Sequence, residues 1–129
     1  MARDKVTVLL PTQDATQSIE VGTITKKAVT VANGIEITEA LGNKNNSLQI
    51  FVENTGNSAS VVTIKAGNNY PNAMLGDLDV ACAAGITAIL LEDISRFENR
   101  DNSVYLDFAS GFTGNVWAVA KRAGIKPVA

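Results

Sequence analysis

The chain has 129 residues, 46% of them hydrophobic and 19% charged, with a formal net charge of −2. That size suits one domain with a core of its own, and the balance leaves little room for a long disordered tail. A basic footprint for nucleic acid is missing. The chain has no histidine, which removes the commonest general base and metal ligand, and a single cysteine, Cys82, which excludes an intramolecular disulfide and Cys-rich zinc sites.

In chain order, residues 5–10 alternate around Val6, Val8 and Leu10 and stop at Pro11, the pattern of a first strand at a sheet edge. Residues 12–18 are polar and loop-like, and residues 19–21 read as a short strand. The segment 28–37, AVTVANGIEI, holds Asn33-Gly34 between alternating apolar residues, a strong hairpin signal. A two-residue turn there sets Val31 opposite Glu36 and Thr30 opposite Ile37, which mixes both faces. Either the loop is longer or the hairpin is partly exposed.

GNKNNS (42–47) is a turn, and LQIFVENTGNSASVVTIK (48–65) holds two strands around a polar connector. Leu48, Ile50 and Val52 share one face of the first; Gln49, Phe51 and Glu53 share the other. Residues 78–81 read as a short strand. Residues 86–91, ITAILL, are apolar on both faces, which predicts a central strand. Residues 104–108 alternate again, and residues 115–121, NVWAVAK, form the last strand. The whole is all-β: an antiparallel β-sandwich of about eight short strands joined by Asn- and Gly-rich turns, with jelly-roll-like and immunoglobulin-like strand orders both open. It forms one domain over 1–129, with short arms at 1–5 and 121–129 as candidates to reach neighbours.

Side chains that carry chemistry are sparse. Asp77 and Asp79 in GDLDV are spaced to share a strand face and a cation, but the oxygen count and glycine placement of a calcium loop are missing. Glu92, Asp93, Glu98 and Asp101 read as solvated strand-end charges. Neither GDLDV nor GFTGN matches a phosphate-binding glycine motif. Cys82, in VACAAG, reads as a buried thiol. Phe51, Phe108 and Trp117 lie in strands and are assigned to core packing; Tyr70, Phe97 and Phe112 are the candidate surface rings. Arg96 beside Phe97 is a candidate interface anchor, because arginine and aromatics are enriched at interfaces. Arg3, Lys5, Lys121 and Arg122 complete the candidate interface set. Catalytic, cofactor and metal residues are not expected. The start lacks a signal peptide and no apolar run is long enough to span a membrane, so the chain is expected to be soluble and made in the cytoplasm.

VENT (52–55), VTIKAG (62–67), GDLDV (76–80), GITAILLE (85–92), SRF (95–97), SVYLDF (103–108) and TGNVWAVA (113–120) together resemble a family of small tailed-phage virion proteins, the head auxiliary, decoration or cement proteins. The resemblance covers about the last two-thirds of the chain, and its motifs are strand-and-turn words. It implies a virion protein on the capsid exterior, with the major capsid protein as partner and a homo-oligomer, dimer or trimer, as the working unit. No nucleic acid, membrane or cofactor is implied. The rival expectations are a carbohydrate-binding β-sandwich using Tyr70 and Phe112, and a head–tail joining or tail structural protein.

Overall fold

The computed structural model describes residues 2–7, 26–38, 47–68, 76–91, 96–97, 99 and 103–121. Among them are nine strands and no helix: β1 (Asp4–Thr7), β2 (Lys27–Ala28), β3 (Ile35–Thr38), β4 (Ser47–Asn54), β5 (Ser60–Ile64), β6 (Leu78–Cys82), β7 (Gly85–Leu91), β8 (Val104–Phe108) and β9 (Gly114–Lys121). They form two sheets, the first in the order β1-β3-β8-β5-β6 and the second in the order β2-β9-β4-β7. The β1–β3 pair is parallel and the other pairs are antiparallel.

Four pairs are nested. β5 pairs with β6, β4 with β7, β3 with β8 and β2 with β9. This is the pairing of one long hairpin whose successive pairs alternate between the two sheets, and the chain is all-β, as the spacing of the strands predicts.

The core follows from period-two alternation. Leu48, Ile50 and Val52 of β4, Val116 and Ala118 of β9, and Ile89 and Leu91 of β7 face inward from the second sheet. Ile35 and Ile37, Val62 and Ile64, and Val104, Leu106 and Phe108 meet them from the first. Ile50 and Leu106 are fully buried, and each such side chain contributes about 1.5–3 kcal/mol of transfer free energy. Cys82 belongs to this cluster, and burial pushes its thiol pKa up.

Two glycines are required by geometry. Gly34 has φ +71° and closes a turn in which the N–H groups of Asn33 and Gly34 both donate to the Thr30 carbonyl (3.0 and 3.1 Å). Gly114, with φ +155°, starts β9 opposite Asn54, and a Cβ there would run into the Glu53 carbonyl.

Two expectations change. Asn33-Gly34 forms a turn but no hairpin, because the flanking strands β2 and β3 enter different sheets. The apolar strand at 86–91 is not central: β7 is an edge of the second sheet. Apolar residues on both faces do not distinguish a covered strand from one whose outer face is open. Residues 8–11 and the short strand at 19–21 lie outside the described residues, so the first strand is described only over Asp4–Thr7, where it is indeed an edge.

Candidate interaction surfaces

The outer face of the first sheet is a charge lattice built by alternation. Along β8, Val104, Leu106 and Phe108 point inward, which turns Tyr105 and Asp107 outward. Arg3, just before β1, reaches across β3 to this row. Its guanidinium lies 4.6 Å from the Tyr105 ring centroid and donates to the Leu106 carbonyl (2.9 Å) and to Asp107 Oδ1 (2.6 Å). Lys65 Nζ lies 2.7 Å from Asp77 Oδ2 and 4.0 Å from Asp107 Oδ2. Asp77 also accepts the Ala66 N–H at 2.6 Å, and this bond, followed by the one from Lys65, holds its carboxyl below the usual carboxylate range. The Asp77 bond in turn raises the Lys65 pKa. Asp79 accepts the Thr63 hydroxyl at 2.7 Å.

Arg96 reaches the margin of the same lattice. Its Nε donates to the Gly76 carbonyl (2.8 Å) and its Nη2 to the Asp77 carbonyl (3.0 Å), while the guanidinium sits 5.0 Å from the Phe97 ring centroid. These contacts show where the candidate interface residues fall. Arg3 and Arg96 converge on one network and are bonded within the chain. Lys5 is exposed on β1. Phe97 is 3% exposed and belongs to the core, so it is not a surface ring. Phe112 is 4% exposed and packs against Phe108 at 4.8 Å, again contrary to expectation. Phe112 packs on Phe108 of the preceding strand, and the immediate neighbours of both rings, SRF and GFTG, give no sign of their burial. Lys121 ends β9, in the other sheet; Arg122, Tyr70, Glu92, Asp93, Glu98 and Asp101 lie outside the described residues. Residues 3–5 of the N-terminal arm are tied down, with the Asp4 N–H donating to the Gly34 carbonyl at 3.1 Å.

The outer face of the second sheet carries apolar rows beside one small charged group. Phe51 and Trp117, directly paired in the β4–β9 ladder, stack at 5.4 Å with an interplanar angle of 4°. Neither ring is in the core cluster, so for Phe51 the core assignment is corrected to a cross-strand pair on the outer face. Lys26 lies 5.3 Å from the Trp117 ring centroid and 3.3 Å from Glu53 Oε1. Asn115 also donates to Glu53 (3.0 Å), and these bonds, that of Asn115 first, lower its pKa. On the far side of β4, β7 turns Ile86, Ala88 and Leu90 outward; Ile86 is 59% and Leu90 62% exposed.

One polar residue stands out between the sheets. Asn54 is 3% exposed at the end of β4. Its Nδ2 donates to the Ser58 carbonyl (2.9 Å) and to the Cys82 carbonyl at the end of β6 (3.0 Å), and its Oδ1 accepts the Gly56 N–H (2.9 Å). This ties the second sheet to the first. Asparagine abundance reads as turn chemistry, which hides this one; the cue available in the sequence is its place at the end of an alternating strand, before Thr-Gly.

Among the described residues no group of three or more His, Cys, Asp or Glu side chains converges to hold a metal, and no helix is long and apolar enough to cross a membrane. Comparisons with family models, with curated proteins and with solved structures find no significant match to this chain.

Proposed function

We propose that this chain is a non-enzymatic virion structural protein of a tailed phage, which decorates the outer surface of the capsid and bridges neighbouring major capsid protein subunits. The observation that carries the reading is where the phage-like sequence words fall. VENT closes β4, VTIKAG covers the end of β5, GDLDV enters β6, the GITAILL of GITAILLE is β7, SVYLDF contains β8 and TGNVWAVA runs into β9. Six of the seven words thus overlap strands, in both sheets, and SRF lies outside them.

A cement role suits such a body. It needs rigidity and repeated modest contacts, which a symmetric shell multiplies into strong retention. Burial of Phe97 and Phe112 takes two of the three candidate rings away from a sugar-binding surface, which favours the capsid reading over the carbohydrate one.

The test is co-sedimentation of the purified protein with expanded shells of the source phage that lack it. The proposal expects saturable binding at a fixed copy number per capsid subunit, and shells that then withstand heat better. Absence of binding to expanded shells overturns it and leaves the head–tail joint or the sugar-binding module as the next reading.

A further inference from the structure

We propose that β7 is a self-pairing edge, through which two copies of this chain join their second sheets by antiparallel β7–β7 hydrogen bonds about a twofold axis at Ala88. The inference is independent of the capsid reading, since it concerns this chain alone.

Among the described residues the two sheets have four edge strands, which differ in one respect. β1 carries Asp4 and Lys5, β2 carries Lys27 and β6 carries Asp79. Charges of this kind are how native sheets block strand addition. β7, GITAILL, has seven residues with neither charge nor proline, and it pairs with β4 on its other side. Its outward side chains Ile86 and Leu90 are the two most exposed large apolar residues among those described.

The same strand is complementary to itself. Antiparallel pairing centred on Ala88 sets Ile86 opposite Leu90 of the second copy and Leu90 opposite its Ile86, with the small Ala88 side chains meeting on the axis. The inward residues continue the existing alternation, with Thr87 opposite Ile89. In the β4–β7 ladder Glu53 pairs with Ile86 and Gln49 with Leu90. Across the join, each row from Glu53 thus runs through Ile86 to Leu90 and Gln49 of the second copy. Like charges do not meet, and Glu53 is already engaged by Lys26 and Asn115. Two four-stranded sheets become one continuous sheet, within the width that twisted open sheets tolerate.

The contact area sets the strength. A standard stable interface uses roughly 20–30 residues a side. A seven-residue strand supplies a fraction of that, so the dimer is reversible and concentration-dependent. Because the strand carries no charge, the dimer is insensitive to salt.

The experiment is sedimentation velocity on the full chain from micromolar to millimolar concentration, with Ile86→Lys and Leu90→Glu variants alone and mixed. The expected result is a reversible wild-type dimer, at least about tenfold weaker in either variant alone. Mixing the two variants restores it, because the antiparallel register sets the new lysine against the new glutamate. Both positions are exposed, so unchanged circular dichroism spectra confirm intact folds. In addition, Ala88→Cys is expected to give a covalent dimer on mild oxidation, since directly opposed Cβ atoms lie about 4.5–5.5 Å apart and Cys82 is fully buried. A wild-type chain that stays monomeric throughout overturns the proposal and leaves this edge to a strand from a different protein. A dimer that persists in both variants, or one that the introduced thiols do not trap, overturns it as well.

Discussion

The outer faces of the two sheets solve the problem of meeting water in opposite ways. On the first sheet the outward side chains around β8 are charged or polar and bonded to one another, Arg3 to Asp107, Lys65 to Asp77 and Thr63 to Asp79, with Val61 an exposed apolar exception on β5. On the second sheet the outward row is apolar, with Phe51 stacked on Trp117 and Ile86 and Leu90 open to solvent. Both rest on the same core. The difference teaches that charge on a surface is no sign of a docking site when each charge is consumed within the chain. On the quieter face β7 has no further neighbour among the described strands, and the proposed pairing of two copies would use that edge.

The comparison holds only if both faces are supported by one cooperative core, and this is where the largest effect is expected. Gly114→Ala drives a Cβ into the Glu53 carbonyl, in the ladder at the centre of the second sheet. The expected cost is about 3 kcal/mol or more. Urea denaturation followed by Trp117 fluorescence, which reports the second sheet, and by far-ultraviolet circular dichroism, which reports both, should give coincident shifted transitions. Separate transitions would mean that the sheets fold as independent layers.

Asn54→Ala sharpens the same point at the tie between the sheets. It leaves the Ser58 and Cys82 carbonyls without their amide donor, at an expected cost of about 1–3 kcal/mol in the same assay. A change within experimental error would show that the tie contributes nothing and that packing alone joins the layers.

The smallest effects belong to the charge lattice, because its members are solvated. Asp77 has a lowered pKa in the fold, so its contribution is present above its unfolded value near ~3.9 and fades as pH falls through the folded value. Lys65 has a raised pKa, so its contribution is complete below its unfolded value near ~10.4 and fades as pH rises through the folded one. The stability gap between wild type and Asp77→Asn should therefore close in acid, and the gap between wild type and Lys65→Met should close in strong base. Gaps that stay constant across pH would show that the lattice owes its effect to packing.

Much of the fold is legible in the residues, and the gaps share a cause. Leu48, Ile50 and Val52 announce an inward face because alternation is a local property. Whether a strand is central or at an edge is not local. ITAILL, apolar on both sides, reads as covered when its outer face is open. The turn at Asn33-Gly34 is read correctly from its chemistry, but which sheet the next strand enters depends on partners far along the chain. Phe97 and Phe112 are buried although their immediate neighbours are polar or small, so the local sequence does not show it. On the functional side, Arg3 and Arg96 were visible as cations. Their internal bonds to Asp107 and to the Gly76 and Asp77 carbonyls were not, because those partners lie far off in sequence.

The nested pairing of the strands also bears on how the chain reaches this state. Closing a loop costs entropy that grows with its length, and here each pairing shortens the loop that the next must close. β5 and β6 are the closest partners in sequence; once joined, they bring β4 towards β7, then β3 towards β8, then β2 towards β9. Entropy thus favours a route from the middle of the chain outward. The contact between Arg3 and Asp107, 104 residues apart, is entropically cheapest when made late. During synthesis the inner pairs are complete on the emerging chain well before β8 and β9, so the N-terminal half must wait for strands not yet made. During that wait β4 is without β9, and the apolar face that Phe51 and Trp117 later share is open.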